Sequence, residues 1–261
     1  MSAARVVIVT VALLAAVCLY LFSYPDPAVD PAWKLPALTS APEGSITVRF
    51  SGTTTLLFSD GETNWMVDGW FTRPGPLKTL FGRIEPDMEA ISFGLEQNGV
   101  DKLAAVIPIH SHYDHAMDSP EVAMRTGATL IGSNASANIG RGWGMPEDRI
   151  RVVADGEEIT LGRFSITFIE SRHLQYPNEE MVERLITQSE ITEPLVPPAT
   201  IYDYKLGKAY VLHVRHPAGS FMVIGSAGFV PGQLSGIDVD LLFLGIGGLG
   251  AQTRGYRDQY W

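Results

Sequence analysis

The densest chemistry in the chain lies in VIPIHSHYDHAMD, Val106 to Asp118. Three of the six histidines fall between His110 and His115, and Asp114 sits among them. His110 and His112 are two apart and follow an apolar run that reads as a buried strand. At the end of a strand, positions i and i+2 point to the same side, so both imidazoles can face one metal ion. Asp114 and His115 come where the chain must already turn toward a helix, and they can aim at a neighbouring point. Imidazole and carboxylate together suit zinc, iron or manganese. The position suits a site as well, because ligands of open α/β sheets bind beyond the carboxyl ends of strands. The plain alternative is a surface loop that happens to be rich in histidine, and the clustering directly after a buried strand argues against it.

The elements that must carry this cluster are legible in outline. ITVRFSG is a strand, and TTTLLFSDGETNWMVDG reads as a hairpin around the turn dipeptide Asp60-Gly61. Asp87–Gly99 is a helix closed by Asn-Gly, and KLAAVIPIH is a buried strand. SPEVAMRTG starts a helix with Ser119 as cap, Pro120 in the first turn and Gly127 as stop. ATLIGS is a strand, NASANIGRGWG a short helix and loop, and RIRVVADGEEITLGRFSITFIES two or three strands. KAYVLHVRHPAGSFMVIGSAGF is a second hairpin, VDLLFLGIGG a buried strand, and RGYRDQYW the start of a helix. The irregular stretch 173–200 has the length of a functional lid. Alternating strands and helices with hairpins in both halves predict a layered α/β protein.

Composition fixes the class. The 261 residues are 46% hydrophobic and 18% charged, as in a globular protein. A net charge of −10 argues against a nucleic-acid partner, which needs a basic face. One cysteine, Cys18, rules out an intramolecular disulfide and reads as an apolar filler. It lies in Val6–Phe22, an uncharged run of 17 residues behind Arg5. That length reaches the lower limit for a spanning helix, about 17–25 residues. Residues 1–24 are therefore expected to anchor the chain in a membrane, with the domain on the non-cytoplasmic side. Cleavage and secretion to a periplasmic or external space is the alternative. Residues 25–44 are expected to form a Pro-rich linker, and residues 45–261 the folded domain.

The spacing His110-x-His112-x-Asp114-His115 resembles the signature of the metallo-β-lactamase superfamily. The resemblance runs from about Ser45 to the end of the chain. The opening hairpin is similar too, with Asp68 at the position of the family's early aspartate. Within the superfamily the chain looks most like the group with phosphorylated-ascorbate lactonase and N-acyl phosphatidylethanolamine phospholipase D. The resemblance implies a four-layer αββα sandwich whose last helix and strand are missing here. It also implies a hydrolase in which a metal-bound hydroxide attacks an ester, lactone or phosphodiester in a small-molecule or lipid-like substrate.

The family's next ligand is a histidine just after a later strand, and FSITFIESRH offers His173 there. His110, His112 and His173 would complete a three-histidine zinc site with one open position. The family then has a bridging aspartate where this chain has Ser226. Ser226 contacts a water at the site or packs at the strand end, and both readings stand. The family's last ligand, a histidine, has no counterpart: His213 and His216 read as structural. One metal ion is therefore expected to be held tightly and a second weakly or not at all, with Zn²⁺ favoured and manganese or iron open. Asp114 and His115 are candidates both for the second metal and for catalysis. Arg73 and Arg141 are candidates for an anionic substrate group. The departures leave a second reading open: a degenerate metal-binding or scaffold member that no longer turns over.

Overall fold

Asp60-Gly61 makes the turn that the sequence predicts. Gly61 takes a positive φ of 88°, and Asp60 Oδ1 accepts the N–H groups of Glu62 and Thr63. Strands β2 (Leu56–Ser59) and β3 (Asn64–Val67) run antiparallel from it, and β1 (Thr47–Phe50) pairs with β2. The turn is locked from the other half of the domain. Arg163 and His216 both reach Asp60 Oδ2, at 2.9 and 3.2 Å, which accounts for His216 as a structural residue. These are features of a computed structural model that describes residues 3–22, 41–175 and 190–261.

Three short parallel strands extend this sheet: β4 (Ala105–Ile107), β5 (Thr129–Gly132) and β6 (Ile150–Val152). The order is β1-β2-β3-β4-β5-β6. Parallel neighbours need crossovers, and helices supply them. The helices before β6 are α2 (Pro76–Phe81), α3 (Met88–Asn98), α4 (Tyr113–Ala116), α5 (Ser119–Thr126) and α6 (Asn134–Gly142). Asp87 caps α3 through Glu89 and Ala90, and Gly99 closes it in the left-handed region, as the sequence indicates. Ser119 is not the cap of α5. Asp118 holds that position, because the Ser119 hydroxyl donates to the carbonyls of Asp68 and His115 instead.

The second sheet has five strands in the order β11-β10-β9-β8-β7. They are β7 (Glu158–Leu161), β8 (Phe164–Ser171), β9 (Ala209–His216), β10 (Gly219–Ile224) and β11 (Leu241–Leu244). All pairs are antiparallel except β10–β11. The two sheets face each other across one core. Phe58 and Trp65 of the first sheet stack on Phe221 of the second, and Phe58 lies 4.7 Å from Phe221 between ring centroids. A second core joins the outer face of the first sheet to α3 and α5 through Leu57, Met66 and Val106 against Ile91, Leu95 and Val122.

Among the described residues, the outer face of the second sheet is covered by a loop segment and one short helix. Leu234, Ile237, Val239 and Tyr260 of α7 (Arg254–Tyr260) pack on Val211 and Met222 there. β11, expected to be buried, is an edge strand. Leu241 and Leu242 are about half exposed because only one neighbour flanks them.

The chain divides into two compact units, residues 1–40 and 41–261. In the first, helix α1 covers Ala3–Phe22. The expected membrane span is not found, for among the described residues no helix is long and apolar enough to cross a membrane. Residues 25–40 of the expected linker lie outside the described residues, as do the side chain of Cys18 and residues 176–189 of the expected lid.

Candidate metal centre

Pro108 cannot donate to a ladder, and β4 ends before it, at Ile107. His110 and His112 therefore sit on a loop and not on the strand end that the sequence suggests. The loop is pinned on both sides. Ile109 N–H donates to Asp68 Oδ1, Tyr210 N–H donates to the Ile109 carbonyl, and Ser111 donates twice to the Leu206 carbonyl. His112 is extended, at φ −60° and ψ 154°, and opens α4, which carries Asp114 and His115.

His173 arrives from the end of β8 and closes the group. One nitrogen from each of His110, His112 and His173 lies within 4.8 Å of the others. The three ring centroids are 4.8, 4.8 and 5.0 Å apart. His173 Nδ1 lies 3.1 Å from the Leu174 carbonyl oxygen, which sets the proton on Nδ1 and so makes Nε2 the ring's acceptor nitrogen. Gly228 lets the following loop approach closely, since a Cβ there would run into Arg172 and His173 backbone.

The donor set fits a metal ion. His110 is 1% exposed, and among the described residues neither of its ring nitrogens has a hydrogen-bond partner. A buried polar atom left unpaired costs about 1–3 kcal/mol, so native proteins seldom keep two on one ring without a reason. Burial, and then the neighbouring His115, His112 and His173, hold His110 well below the ordinary histidine range. Burial and His112 bring His173 down to about 3. Neutral imidazoles with free lone pairs are what a transition metal requires.

Asp114 and His115 do not join this group of three. His115 Nδ1 donates to Asp68 Oδ2 at 2.7 Å, in a pair that is fully buried on the aspartate side. Its Nε2 is 3.9 Å from Asp114 Oδ2, outside hydrogen-bond reach. Burial works against the His115 cation, but the Asp68 carboxylate outweighs it and raises the pKa. His115 also packs on His110, at 3.8 Å between centroids. Asp68 takes a positive φ of 58°, a conformation that aspartate tolerates better than most residues.

Ser226 stands beside the trio and is already engaged. Its hydroxyl accepts the Leu174 N–H at 2.9 Å, so it braces the segment that presents His173. Two tyrosines of α7, which the sequence reading passed over, hold the same loop. Tyr256 donates to the Ala227 carbonyl, and Tyr260 donates to the carbonyls of Gly245 and Ser226.

The two expected anion-binding arginines are otherwise occupied. Arg141 lies on α6 with both guanidinium edges taken, by Glu147 and by Asn138, so it has no fork to offer a substrate. Arg73 lies 3.8 Å over the Trp70 ring and donates to the carbonyls of Trp70, Thr72 and Ser51. Trp70 packs edge-on against Tyr113, beside His112.

The loop that carries Trp70 and Arg73 is tied down by Asp118. Its carboxylate accepts the N–H groups of Phe71 and Thr72 and the Thr72 hydroxyl, at 2.6 to 2.8 Å. Burial nevertheless pushes Asp118 up to about 6. A carboxyl whose folded pKa exceeds its unfolded value contributes stability below the unfolded value and loses it as pH rises through the folded one. Asp118→Asn should therefore compare ever better with the wild type between pH 4 and 7, by up to about 3 kcal/mol. Urea unfolding of both proteins across that range measures it, and a constant difference would contradict the assignment.

No family model matches the chain, and no curated protein matches it. Among solved structures it is similar to Igni18, a metallo hydrolase from the archaeon Ignicoccus hospitalis KIN4/I. The identity is 14% and the TM-score 0.41, over 68% of this chain and 59% of that one. A variant metallo-β-lactamase from Cronobacter sakazakii aligns at 14% identity and TM-score 0.44, over 79% and 81% of the two chains. The metallo-β-lactamase SMB-1 aligns at 16% and 0.38, over 65% and 55%. The chain thus spans less than two thirds of the length of two of these three. With scores below 0.5, the reading of this site rests on its own geometry.

Proposed function

We propose that the domain is a metal-dependent hydrolase of the metallo-β-lactamase type, with one zinc ion held by His110, His112 and His173. The observation that carries this reading is His110, fully buried with two unpartnered nitrogens inside a group of three converging imidazoles. Bound there, a zinc ion would supply Lewis acidity and a water of lowered pKa. The protein's own groups do the rest. His110 and His112, both buried, and the partly buried His173 shield one side of the site from bulk water. Asp114, about one third exposed, orients the attacking water and accepts its proton. The Asp68 carboxylate keeps a proton on His115 Nδ1 and favours the imidazolium, whose Nε2–H donates to the oxygen of the departing group. An ester, lactone or phosphodiester centre meets these requirements.

A chelator-free preparation is expected to hydrolyse bis(p-nitrophenyl) phosphate or a simple lactone, to lose that activity in EDTA and to regain it with zinc. A second reading, a metal-binding module without turnover, rests on Ser226, a neutral hydroxyl that accepts the Leu174 N–H at the position where the family resemblance calls for a bridging aspartate. Stoichiometric metal without hydrolysis of any ester, lactone or phosphodiester would establish it.

A further inference from the structure

Helix α2 is built the wrong way round for a helix that packs on a core. Leu77, Leu80 and Phe81 stand at i, i+3 and i+4, which places them on one face. Yet none of the six residues of α2 is buried. Leu77 is 76% exposed, Leu80 51% and Phe81 83%. The helix is nonetheless held in place. Thr79 donates to the carbonyls of Pro74 and Gly75, Arg83 Nε donates to the Pro198 carbonyl, and Ile84 pairs with Ala199. Contiguous apolar side chains that a fixed element offers to solvent often mark an interaction site.

Charge indicates which one. Residues 73–83 carry Arg73, Lys78 and Arg83 and no acidic residue, in a chain of net charge −10. Among the described residues neither Lys78 nor Arg83 is in an ion pair. Size argues in the same direction. Three side chains offer on the order of 400 Å², about half of the ~800 Å² per partner of a stable protein interface. A lipid bilayer needs no complementary surface and takes apolar side chains flanked by basic ones.

We propose that Leu77, Leu80 and Phe81 dock the domain on an anionic phospholipid surface, with Lys78 and Arg83 at the level of the headgroups. The helix follows Trp70 and Arg73 in the chain, so docking would bring the membrane close to the candidate metal centre. The proposal does not depend on a metal being bound there.

The test uses the full chain with Cys18→Ser and Phe81→Cys, labelled at residue 81 with an environment-sensitive fluorophore. On vesicles of phosphatidylcholine and phosphatidylserine the emission should shift to the blue and the label should be shielded from iodide. Both effects should be smaller on phosphatidylcholine alone. Adding Leu77→Ser and Leu80→Ser, at residues that are 76% and 51% exposed, should weaken the response by at least about tenfold for each side chain. Three results would overturn the proposal. One is a label that stays open to iodide when the protein sediments with vesicles, which also separates docking by α2 from attachment through α1. Another is an equal response on phosphatidylcholine alone. The third is a shift that needs no vesicles and grows with protein concentration, the mark of a second copy as occupant.

Discussion

Protein carrying His110→Ala is expected to fold and yet to retain no metal. Truncating a buried side chain usually costs stability through lost contacts and a cavity. Here that cost is offset in the metal-free state, because the substitution removes two buried nitrogens that lack partners. The apo forms of wild type and variant should therefore unfold at similar urea concentrations. Zinc should separate them. The wild type gains stability by mass action, about 4 kcal/mol at a thousandfold excess over the dissociation constant, and the variant gains none. A variant that zinc stabilises as well as the wild type would remove His110 from the site. Hydrolysis, where present, should fall with the metal.

Asp68→Ala should be among the most destabilising substitutions in the domain. The Asp68 side chain is fully buried; it accepts Ile109 N–H on one oxygen and His115 Nδ1–H on the other. Removing one partner of a buried pair costs about 3–5 kcal/mol, and alanine at a positive φ adds about 1 kcal/mol. Asp68→Asn keeps the shape and the tolerance for that backbone, so it should cost clearly less. It should still impair the site, because an amide stabilises no imidazolium on His115. Urea unfolding of the two variants ranks them, and an alanine variant within 1 kcal/mol of the wild type would show that the pair is not what orders the loop.

These two residues also mark how far the sequence could be read. The cluster 110–115 is local, and its types alone point to a metal. The caps of α3, the Asp60-Gly61 turn and the strand before His173 are local too, and each stands where the residues indicate. What the sequence hides is pairing between distant segments. The Asp68–His115 bond joins residues 47 apart and the Ser226–Leu174 bond residues 52 apart, and no spacing rule links them. Arg141 and Arg73, candidates for an anionic substrate group, find most of their partners close by in the chain, Glu147 and Asn138 for the first and the Trp70 and Thr72 carbonyls for the second, and no residue pattern ranks those contacts above a bound anion. Ser119 shows two local rules in competition, a helix cap against a bond back to Asp68, and the tertiary partner wins. The exposed edge strand β11 misled through composition, since LLFL reads as buried wherever it lies.

Elemental analysis of the full-length protein, expressed in zinc-supplemented medium and purified without chelators, tests the account at its centre. The trio predicts close to one equivalent of a transition metal per chain in the wild type, and a loss to background in His173→Ala. A wild-type protein with no metal above background, or a His173→Ala protein that keeps its full equivalent, would contradict it.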